Sequence, residues 1–255
     1  MTAFSVVIPA RYASTRLPGK PLADICGLPM IVRVARQALA SGAGAVVVAT
    51  DDVRVLDAVT AHGHDAMLTS AAHQSGSDRV MEVVTARGWS DDQIVINVQG
   101  DEPQIPPAVI NQVATLLRDD RECGVATLCE SIADGRQVFD PNVVKLVRDV
   151  RSRALYFSRA PLPWRRDDFA SADHAQFRLP QRTWWRHIGI YGYRVAALRQ
   201  FCALPQARLE AIESLEQLRL LENGVAIVVA EALQQVPGGV DTPEDLERVR
   251  AQLRG

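Results

Sequence analysis

The chain has 255 residues, which at about 150 residues per domain allows one or two domains with a sizeable hydrophobic core. Hydrophobic residues make up 47% and charged residues 23%, a composition that is typical of globular proteins and excludes a disordered chain. The formal net charge of −2 lacks the basic surplus of a general nucleic-acid-binding protein, so we expect no nucleic-acid partner.

No segment of the sequence is typical of a secretion signal or a membrane span. A basic N-terminal region followed by a long apolar stretch is absent, and no run approaches 18 consecutive apolar residues. The four cysteines show neither a C-x-x-C pair nor metal-ligand spacing. We therefore expect a cytoplasmic protein with reduced thiols and no membrane partner.

Short apolar runs alternate with helical patterns in the first half of the chain. The predicted strands are residues 4–8, 45–49, 66–69, 94–98 and 125–129. The predicted helices are residues 30–39, 53–61, 78–86 and 106–117. This alternation predicts right-handed βαβ units, and hence an α/β protein with a mostly parallel sheet flanked by helices.

The pattern changes in the second half. We predict strands at residues 143–147, 154–157, 187–193 and 226–230, and helices at residues 209–223 and 242–253. Five leucines and Ile212 cover most of the circumference of the predicted helix 209–223, so we expect it to be buried on more than one side. Gly224 is expected to end this helix.

A polar, proline-punctuated segment at about residues 159–187 carries three of the four tryptophans, together with Phe169 and Phe177. A long loop with many aromatic residues is typical of a lid, an arm or an interface. We therefore predict one domain over residues 1–255 with an inserted arm at about residues 159–187.

The first predicted loop, residues 9–20, directly follows the first strand, where open α/β sheets bind ligands. It offers Arg11, Arg16, Lys20, two hydroxyls and free backbone N–H groups, which is what a polyphosphate requires. Lys20 stands out because the chain has only two lysines among its 28 basic residues. The alternative is a solvated surface loop. The loop matches neither a Walker A motif nor a dinucleotide fingerprint.

The second loop, residues 73–79, precedes a predicted helix. In the structural interpretation Ser77 or Asp78 caps that helix. In the functional one Ser75, Gly76 and the helix N-terminus approach a nucleotide while Arg79 supplies charge.

Two aspartates are candidates for holding a hard cation. Asp101 follows a buried strand and a glycine, a position suited to Mg²⁺ bridging phosphates, although a turn aspartate is common. Thr242 as N-cap with Asp245 at N3 explains the start of the last helix and leaves Asp241 free. A second carboxylate near Asp101 would complete a two-cation site.

The predicted helix 209–223 also carries polar residues among its leucines. Glu216 lies between apolar positions, and Gln217 borders the same face. A buried carboxylate needs a partner or lines a polar pocket, so a structural pair and a substrate contact are both open.

Several motifs in this order resemble one family, the 3-deoxy-manno-octulosonate (Kdo) cytidylyltransferases. The matching segments are PAR at 9–11, LPGKP at 17–21, HQSGSDR at 73–79, NVQGDEP at 97–103, LYFSR at 155–159, HIGIYGY at 187–193, ESLEQLR at 213–219 and GVDTP at 239–243. The resemblance spans nearly the whole chain, and the motifs are highly specific as a set. The arm matches least.

The resemblance implies a Rossmann-like nucleotidyltransferase fold with an inserted dimerisation arm, and a homodimer. It implies transfer of CMP from CTP to the anomeric hydroxyl of Kdo, with Mg²⁺ as cofactor, for lipopolysaccharide synthesis. The catalytic residues it implies are Lys20, Arg11, Asp101 and Asp241, the two aspartates being the metal ligands. The nucleotide-binding residues are Ala10, Arg11, Arg16, Lys20, Ser75, Gly76, Arg79, Gln99 and Gly100. The sugar-binding residues are Arg16, Arg159, His187, Tyr191, Glu216 and Gln217.

Some features depart from the family or leave alternatives. Ser70 and Ala72 stand where the family often has Arg and Asp, and Ser77 replaces the usual Thr. The nearest alternative is a cytidylyltransferase for another acidic sugar, such as sialic acid or an amino-Kdo. A glycosyltransferase would usually need Asp-x-Asp where this chain has Asp101-Glu102-Pro103. A non-catalytic nucleotide-binding protein would not need both Asp101 and Asp241.

Overall fold

The computed structural model describes residues 4–166, 169 and 179–254. Phe177 and most of the middle of the predicted arm lie outside the described residues. The strands are β1 (Phe4–Ala10), β2 (Asp24–Ile25), β3 (Leu28–Pro29), β4 (Ala45–Thr50), β5 (Asp65–Leu68), β6 (Ile94–Asn97), β7 (Val125–Ser131), β8 (Lys145–Arg148), β9 (Ala154–Ser158), β10 (Trp185–Arg194) and β11 (Ile227–Glu231). The helices are α1 (Met30–Ala40), α2 (Val53–Ala61), α3 (Gly76–Ala86), α4 (Pro107–Asp119), α5 (Gly135–Phe139), α6 (Val195–Ala203), α7 (Arg208–Glu213), α8 (Leu218–Glu222) and α9 (Pro243–Arg254).

A nine-stranded sheet forms the centre of the molecule, in the order β11-β7-β10-β6-β1-β4-β5, with β8 beside β10 and β9 beside β8. The strands β5, β4, β1 and β6 are parallel, and β11 is parallel to β7. β10 runs antiparallel between β6 and β7. The predicted α/β class with a mostly parallel, helix-flanked sheet is confirmed. A small hairpin of β2 and β3 lies apart from this sheet.

Two hydrophobic cores cover the two faces of the sheet. Side chains alternate along β1, so Val6 and Ile8 pack into one core and Val7 packs into the other. Most buried apolar residues of α1 and those of α2 and α4 belong to the first core, and those of α3 and α6 belong to the second. No helix in the described part of the chain is long and apolar enough to span a membrane.

The predicted helix 209–223 is wrong as a single element. It is interrupted at Ser214, which has a left-handed backbone with φ of 52°, so that α7 and α8 are separate short helices. The Arg159 side chain stabilises the interruption because its Nε donates to the carbonyl of Glu213 at 2.7 Å. Ile212, expected to be buried, is 71% exposed. The leucine pattern continues across the interruption, and therefore periodicity alone did not reveal it.

Helix α3 also begins earlier than predicted, because its N-cap is Ser75 and neither Ser77 nor Asp78. The Ser75 hydroxyl accepts a hydrogen bond from the backbone N–H of Asp78, and the Asp78 carboxylate accepts one from the backbone N–H of Ser75. At α9 the predicted cap is confirmed, since the N–H of Asp245 donates to the Thr242 hydroxyl at 3.2 Å. The hairpin of β2 and β3 and the helices α5 and α6 were not predicted.

Arg79 belongs to the core, which corrects the expectation that it supplies charge to a nucleotide. Its side chain is fully buried. One guanidinium nitrogen donates to the Thr69 hydroxyl at 2.5 Å and another to Asp51 Oδ2 at 3.1 Å. The other carboxylate oxygen of Asp51 accepts the backbone N–H of Tyr12 at 3.1 Å. Through Asp51, Arg79 thus stabilises the backbone at the start of the first loop.

Replacing Arg79 with leucine should lower the free energy of unfolding by about 3 kcal/mol, because Asp51 would lose its buried partner. Urea unfolding followed by circular dichroism measures this. The matched control is Arg87→Leu, which removes a half-exposed guanidinium paired with Asp65. This control should cost about 0.5 kcal/mol. Equal losses in the two variants would contradict a core role for Arg79.

Candidate active site

Three segments meet at the carboxyl edge of the sheet. β1 and β6 are parallel neighbours, so the loops that follow them start side by side. Gly100 approaches the end of β1 so closely that a Cβ would lie 2.8 Å from the carbonyl oxygen of Pro9. Residues 239–241 reach the same edge, where the N–H of Val240 donates to the carbonyl oxygen of Asp101 at 2.9 Å. These backbone contacts place the predicted motifs next to one another.

Lys20 joins the two aspartates that the sequence singles out. Its Nζ donates to Asp101 Oδ2 at 2.6 Å and to Asp241 Oδ1 at 3.0 Å. The Arg16 guanidinium lies 3.1 Å from the same oxygen of Asp241. The Lys20 side chain is only 15% exposed, so the ion pairs are partly shielded from water. Asp101, Asp241 and the two cations therefore form one cluster.

The electrostatics of this cluster keep Lys20 charged. Burial alone lowers the pKa of Lys20, but the charges and hydrogen bonds of Asp101 and Asp241 outweigh it and raise the pKa above its usual 10.5. The neighbouring Glu102 behaves differently. Burial raises the pKa of Glu102 to about 8, and the charge of Asp101 adds to the rise. Glu102 is therefore mostly protonated at neutral pH and adds little negative charge.

A cavity of about 340 Å³ opens beside the cluster, and we call it the cationic cavity. Asp101 and Asp241 line it, together with six other residues predicted for the nucleotide: Ala10, Arg11, Arg16, Lys20, Gln99 and Gly100. The hydroxyl-bearing Ser14 and Thr15 also line it. Positive side chains, hydroxyls and loop backbone in one concave site suit a polyphosphate.

The loop that lines the cationic cavity is held at several points. One nitrogen of the Arg11 guanidinium donates to the carbonyl oxygen of His73 at 2.7 Å, which links the first loop to the second. Tyr12 packs on Gly19, whose φ of +67° favours glycine, and the Arg54 guanidinium lies 3.6 Å from the Tyr12 ring centre. These contacts preorganise the loop before any ligand is bound.

A second cavity, of about 270 Å³, adjoins the first, and we call it the polar cavity. Gln99 lines both cavities. The predicted residues that line the polar cavity are Gly76, Gln99, His187, Tyr191, Glu216 and Gln217. The structure therefore brings these residues together. Whether each one contacts a substrate stays a prediction.

The polar cavity differs from the cationic cavity in charge. Burial lowers the pKa of His187 to about 3, so its imidazole is neutral, and it lies 3.1 Å from the Thr127 hydroxyl. Burial raises the pKa of Glu216 above its usual value, while a hydrogen bond from the Ser77 hydroxyl at 3.3 Å opposes the rise. Lysine and arginine are absent from the described residues that line this cavity.

Arg159 does not line the polar cavity in this structure. Its guanidinium donates to three backbone carbonyl oxygens, those of Glu213, Pro141 and Ser214. The Glu213 carboxylate in turn accepts the backbone N–H of Arg159 at 2.9 Å. Arg159 thus supports the turn at residues 214–217 that carries Glu216. Its contact with a sugar stays a prediction.

Ser75 and Arg79 are the other predicted site residues that line neither cavity, because the Ser75 hydroxyl caps α3 and the Arg79 side chain is fully buried. In place of Ser75, Ser77 lines the polar cavity. Sequence reasoning also missed Asn97, Tyr193 and Ser214 as lining residues. Asn97 had a visible signal, since it is the one polar residue in the apolar run 94–98. Ser214 had none, because the leucine periodicity passes over it.

The carboxylates of Asp101 and Asp241 both contact one positive group, the Lys20 Nζ. They are therefore close enough together to bind one divalent cation. Among the described residues there is no group of three or more His, Cys, Asp or Glu side chains that could hold a metal. Two carboxylates are enough for Mg²⁺ when substrate phosphates and water supply the remaining oxygens. Reactions of nucleoside triphosphates generally use a divalent cation in this way.

Comparison with known proteins identifies the family. The sequence model of the cytidylyltransferase family matches residues 5–227. A 3-deoxy-manno-octulosonate cytidylyltransferase of Alcanivorax borkumensis is 57% identical over 252 residues, 99% of each chain, and one of Cellvibrio japonicus is 58% identical over 252 residues, 98% of each. A solved structure of CMP:2-keto-3-deoxy-manno-octonic acid synthetase complexed with CTP is 44% identical, with a TM-score of 0.88 over 100% of this chain and 99% of the other. The chain therefore belongs to the 3-deoxy-manno-octulosonate cytidylyltransferase family.

Proposed function

We propose that this chain transfers CMP from CTP to the anomeric hydroxyl of Kdo and releases diphosphate. The observation that carries the proposal is the pair of adjoining cavities, one cationic and one polar, with the cluster of Lys20, Asp101 and Asp241 beside the first. CTP would occupy the cationic cavity and the sugar the polar one. The relatives that share more than half of this sequence bear the name of this activity.

In the proposed reaction the anomeric oxygen forms a bond to the α-phosphorus as the bond from that phosphorus to the bridging oxygen of diphosphate breaks. The hydroxyl proton is released. Positioning and charge neutralisation dominate such transfers, and no covalent enzyme intermediate is needed. Gln99, which lines both cavities, would hold the two substrates in line.

Arg11, Arg16 and Lys20 neutralise the triphosphate in this proposal. The three lie on one loop whose backbone is held by Tyr12 and Gly19, so little reorganisation is needed as negative charge moves to the leaving diphosphate. Lys20 would exchange an aspartate oxygen for a phosphate oxygen when CTP binds. This exchange would free carboxylate oxygen for a cation.

We further propose Mg²⁺ as the cofactor, held by Asp101 and Asp241 with oxygens of the triphosphate. Mg²⁺ would supply positive charge at the transferring phosphoryl group. Separate Mg²⁺ titrations of Asp101 and Asp241 variants distinguish one bound cation from two.

We also propose that the chain is one domain and forms a homodimer joined partly through the arm. We further propose that it acts in the cytoplasm, in lipopolysaccharide synthesis. Trp164 lies at the start of the arm, and its ring centre is 5.1 Å from that of the buried Phe169. Trp164 is nevertheless 58% exposed, and an exposed tryptophan on the arm supports a contact with a second chain. Sedimentation equilibrium should give twice the chain mass of 27.9 kDa. A single-chain mass at micromolar concentration would contradict the dimer.

Diphosphate release from CTP and Mg²⁺ tests the proposed reaction. We expect release with Kdo, little with sialic acid, and none without a sugar, because attack on the α-phosphorus needs the seated anomeric hydroxyl. Release with sialic acid but not with Kdo would assign the chain to another acidic sugar. Release with no sugar would point to hydrolysis of CTP.

Replacing Lys20 with methionine should lower kcat by about 100-fold or more, since a preorganised positive charge at the triphosphate is lost. Steady-state kinetics with saturating CTP, Mg²⁺ and sugar measure this. Lys20→Arg keeps the charge and should recover part of the rate. A loss of less than tenfold in Lys20→Met would show that this charge does not act in the transition state.

Asp101→Asn should raise the Mg²⁺ concentration needed for half-maximal rate by at least tenfold, because a charged ligand becomes a neutral one. Asp241→Asn tests the second carboxylate in the same titration. The control is Asp57→Asn on the exposed surface of α2, which should leave the titration unchanged. An unchanged Mg²⁺ requirement in Asp101→Asn would show that Asp101 is not a metal ligand.

A further inference from the structure

Asn97 is a polar residue at the end of a strand that is otherwise apolar. All four residues of β6 are buried, and Asn97 is 4% exposed. Its side-chain oxygen has no hydrogen-bond partner among the described residues. An unpaired buried amide is costly, and the strand's own packing would be served better by a leucine or valine. The fold itself therefore gives no reason for an asparagine here.

The polar cavity does give a reason. Asn97 lines it, as does Gln217, whose side-chain nitrogen also lacks a partner in the part of the chain that the structure describes. Asn97 lies opposite Tyr191, another lining residue, in the register of β6 and β10. Amides can donate and accept hydrogen bonds, and so can hydroxyl groups. One unpaired amide oxygen and one unpaired amide nitrogen in one cavity therefore suit a ligand with several hydroxyl groups.

Charge decides which part of an acidic sugar enters this cavity. Its described lining residues include no lysine or arginine, His187 is neutral, and Glu216 is a carboxyl group. A sugar carboxylate would find no cation among them. The cations Arg11, Arg16 and Lys20 line the adjoining cavity beyond Gln99. The carboxylate end should therefore face Gln99, and the hydroxyl-bearing tail should face Asn97.

We propose that Asn97 is a specificity-determining residue, whose side-chain amide hydrogen-bonds the terminal hydroxyl of the acidic sugar. This inference rests on the proposed function and deepens it. It explains why a buried amide is retained at a cost to packing, since the missing partner arrives with the substrate. The sugar carboxylate would thus be recognised beside the cationic cavity, and the hydroxyl groups would be recognised in the polar cavity.

The test compares Asn97→Leu with the unaltered chain on two sugars. One is Kdo, and the other is a seven-carbon analogue that lacks the terminal carbon and its hydroxyl. With Kdo, kcat/KM for the sugar should fall about tenfold, mainly through KM, as expected for one lost hydrogen bond. With the shortened analogue the fall should be less than twofold, because the unaltered chain has already lost the contact. The KM for CTP should stay within twofold.

A second measurement separates recognition from folding. Thermal unfolding of Asn97→Leu should occur at the same temperature or higher, since an unpaired buried amide is replaced by an apolar side chain of similar size. The matched control is Asn111→Leu on α4, which removes a hydrogen bond to the carbonyl of Ser41. It should lower stability and leave both sugars unaffected. If Asn97→Leu does not fold, Asn97→Ser serves in the same comparison.

The outcomes distinguish this inference from the proposed function. If the unaltered chain releases no diphosphate with Kdo, the proposed function fails and the inference fails with it. If the unaltered chain uses Kdo and Asn97→Leu has the same KM for Kdo, only the inference is overturned. An equal loss on both sugars, or a loss of stability alone, would likewise assign Asn97 to the fold.

Discussion

The rest of this structure depends on one interaction, the ammonium group of Lys20 held between two carboxylates. Asp101 and Asp241 lie 81 and 221 residues away from Lys20 along the chain, and both reach its Nζ within 3.0 Å. Left alone, two aspartates at one place would repel each other. Lys20, together with Arg16 beside Asp241, balances their charge and keeps the three segments together at the carboxyl edge of the sheet. Two backbone contacts allow the segments to come this close. Gly100 packs against Pro9, and the N–H of Val240 donates to the carbonyl oxygen of Asp101.

The second organising feature is the division of charge between two neighbouring cavities. The cationic cavity collects three positive side chains of the first loop, whereas the polar cavity holds neutral His187, the carboxyl of Glu216 and amide groups. Such a division suits a reaction between a triphosphate and a polyhydroxylated acid. The triphosphate needs positive charge, and the hydroxyl groups need partners that donate and accept hydrogen bonds. Only Gln99 among the predicted residues belongs to both cavities.

Much of this arrangement could be predicted from local patterns. Apolar runs that alternate with helical patterns predicted the parallel strands, and the resemblance to the family implied that Lys20, Asp101 and Asp241 belong to one site. Interactions across long distances in sequence could not be predicted in this way. Ser214 interrupts a leucine-rich helix because Arg159, which lies in a distant segment, bonds to the carbonyls there. Arg79 was expected to supply charge to a nucleotide, but its side chain is fully buried and donates to Thr69 and Asp51.

In the proposed function, Lys20 occupies the carboxylate pair until a nucleotide displaces it. Binding of Mn²⁺, measured by the loss of the electron paramagnetic resonance signal of the free ion, tests this directly. Mn²⁺ stands in for Mg²⁺, and CTP is supplied without a sugar so that no transfer occurs. We expect negligible Mn²⁺ binding to the protein alone at millimolar concentration. We also expect clear binding by protein and CTP together, beyond what CTP alone binds. Tight binding of Mn²⁺ to the protein without CTP would show that Lys20 does not block the carboxylate pair.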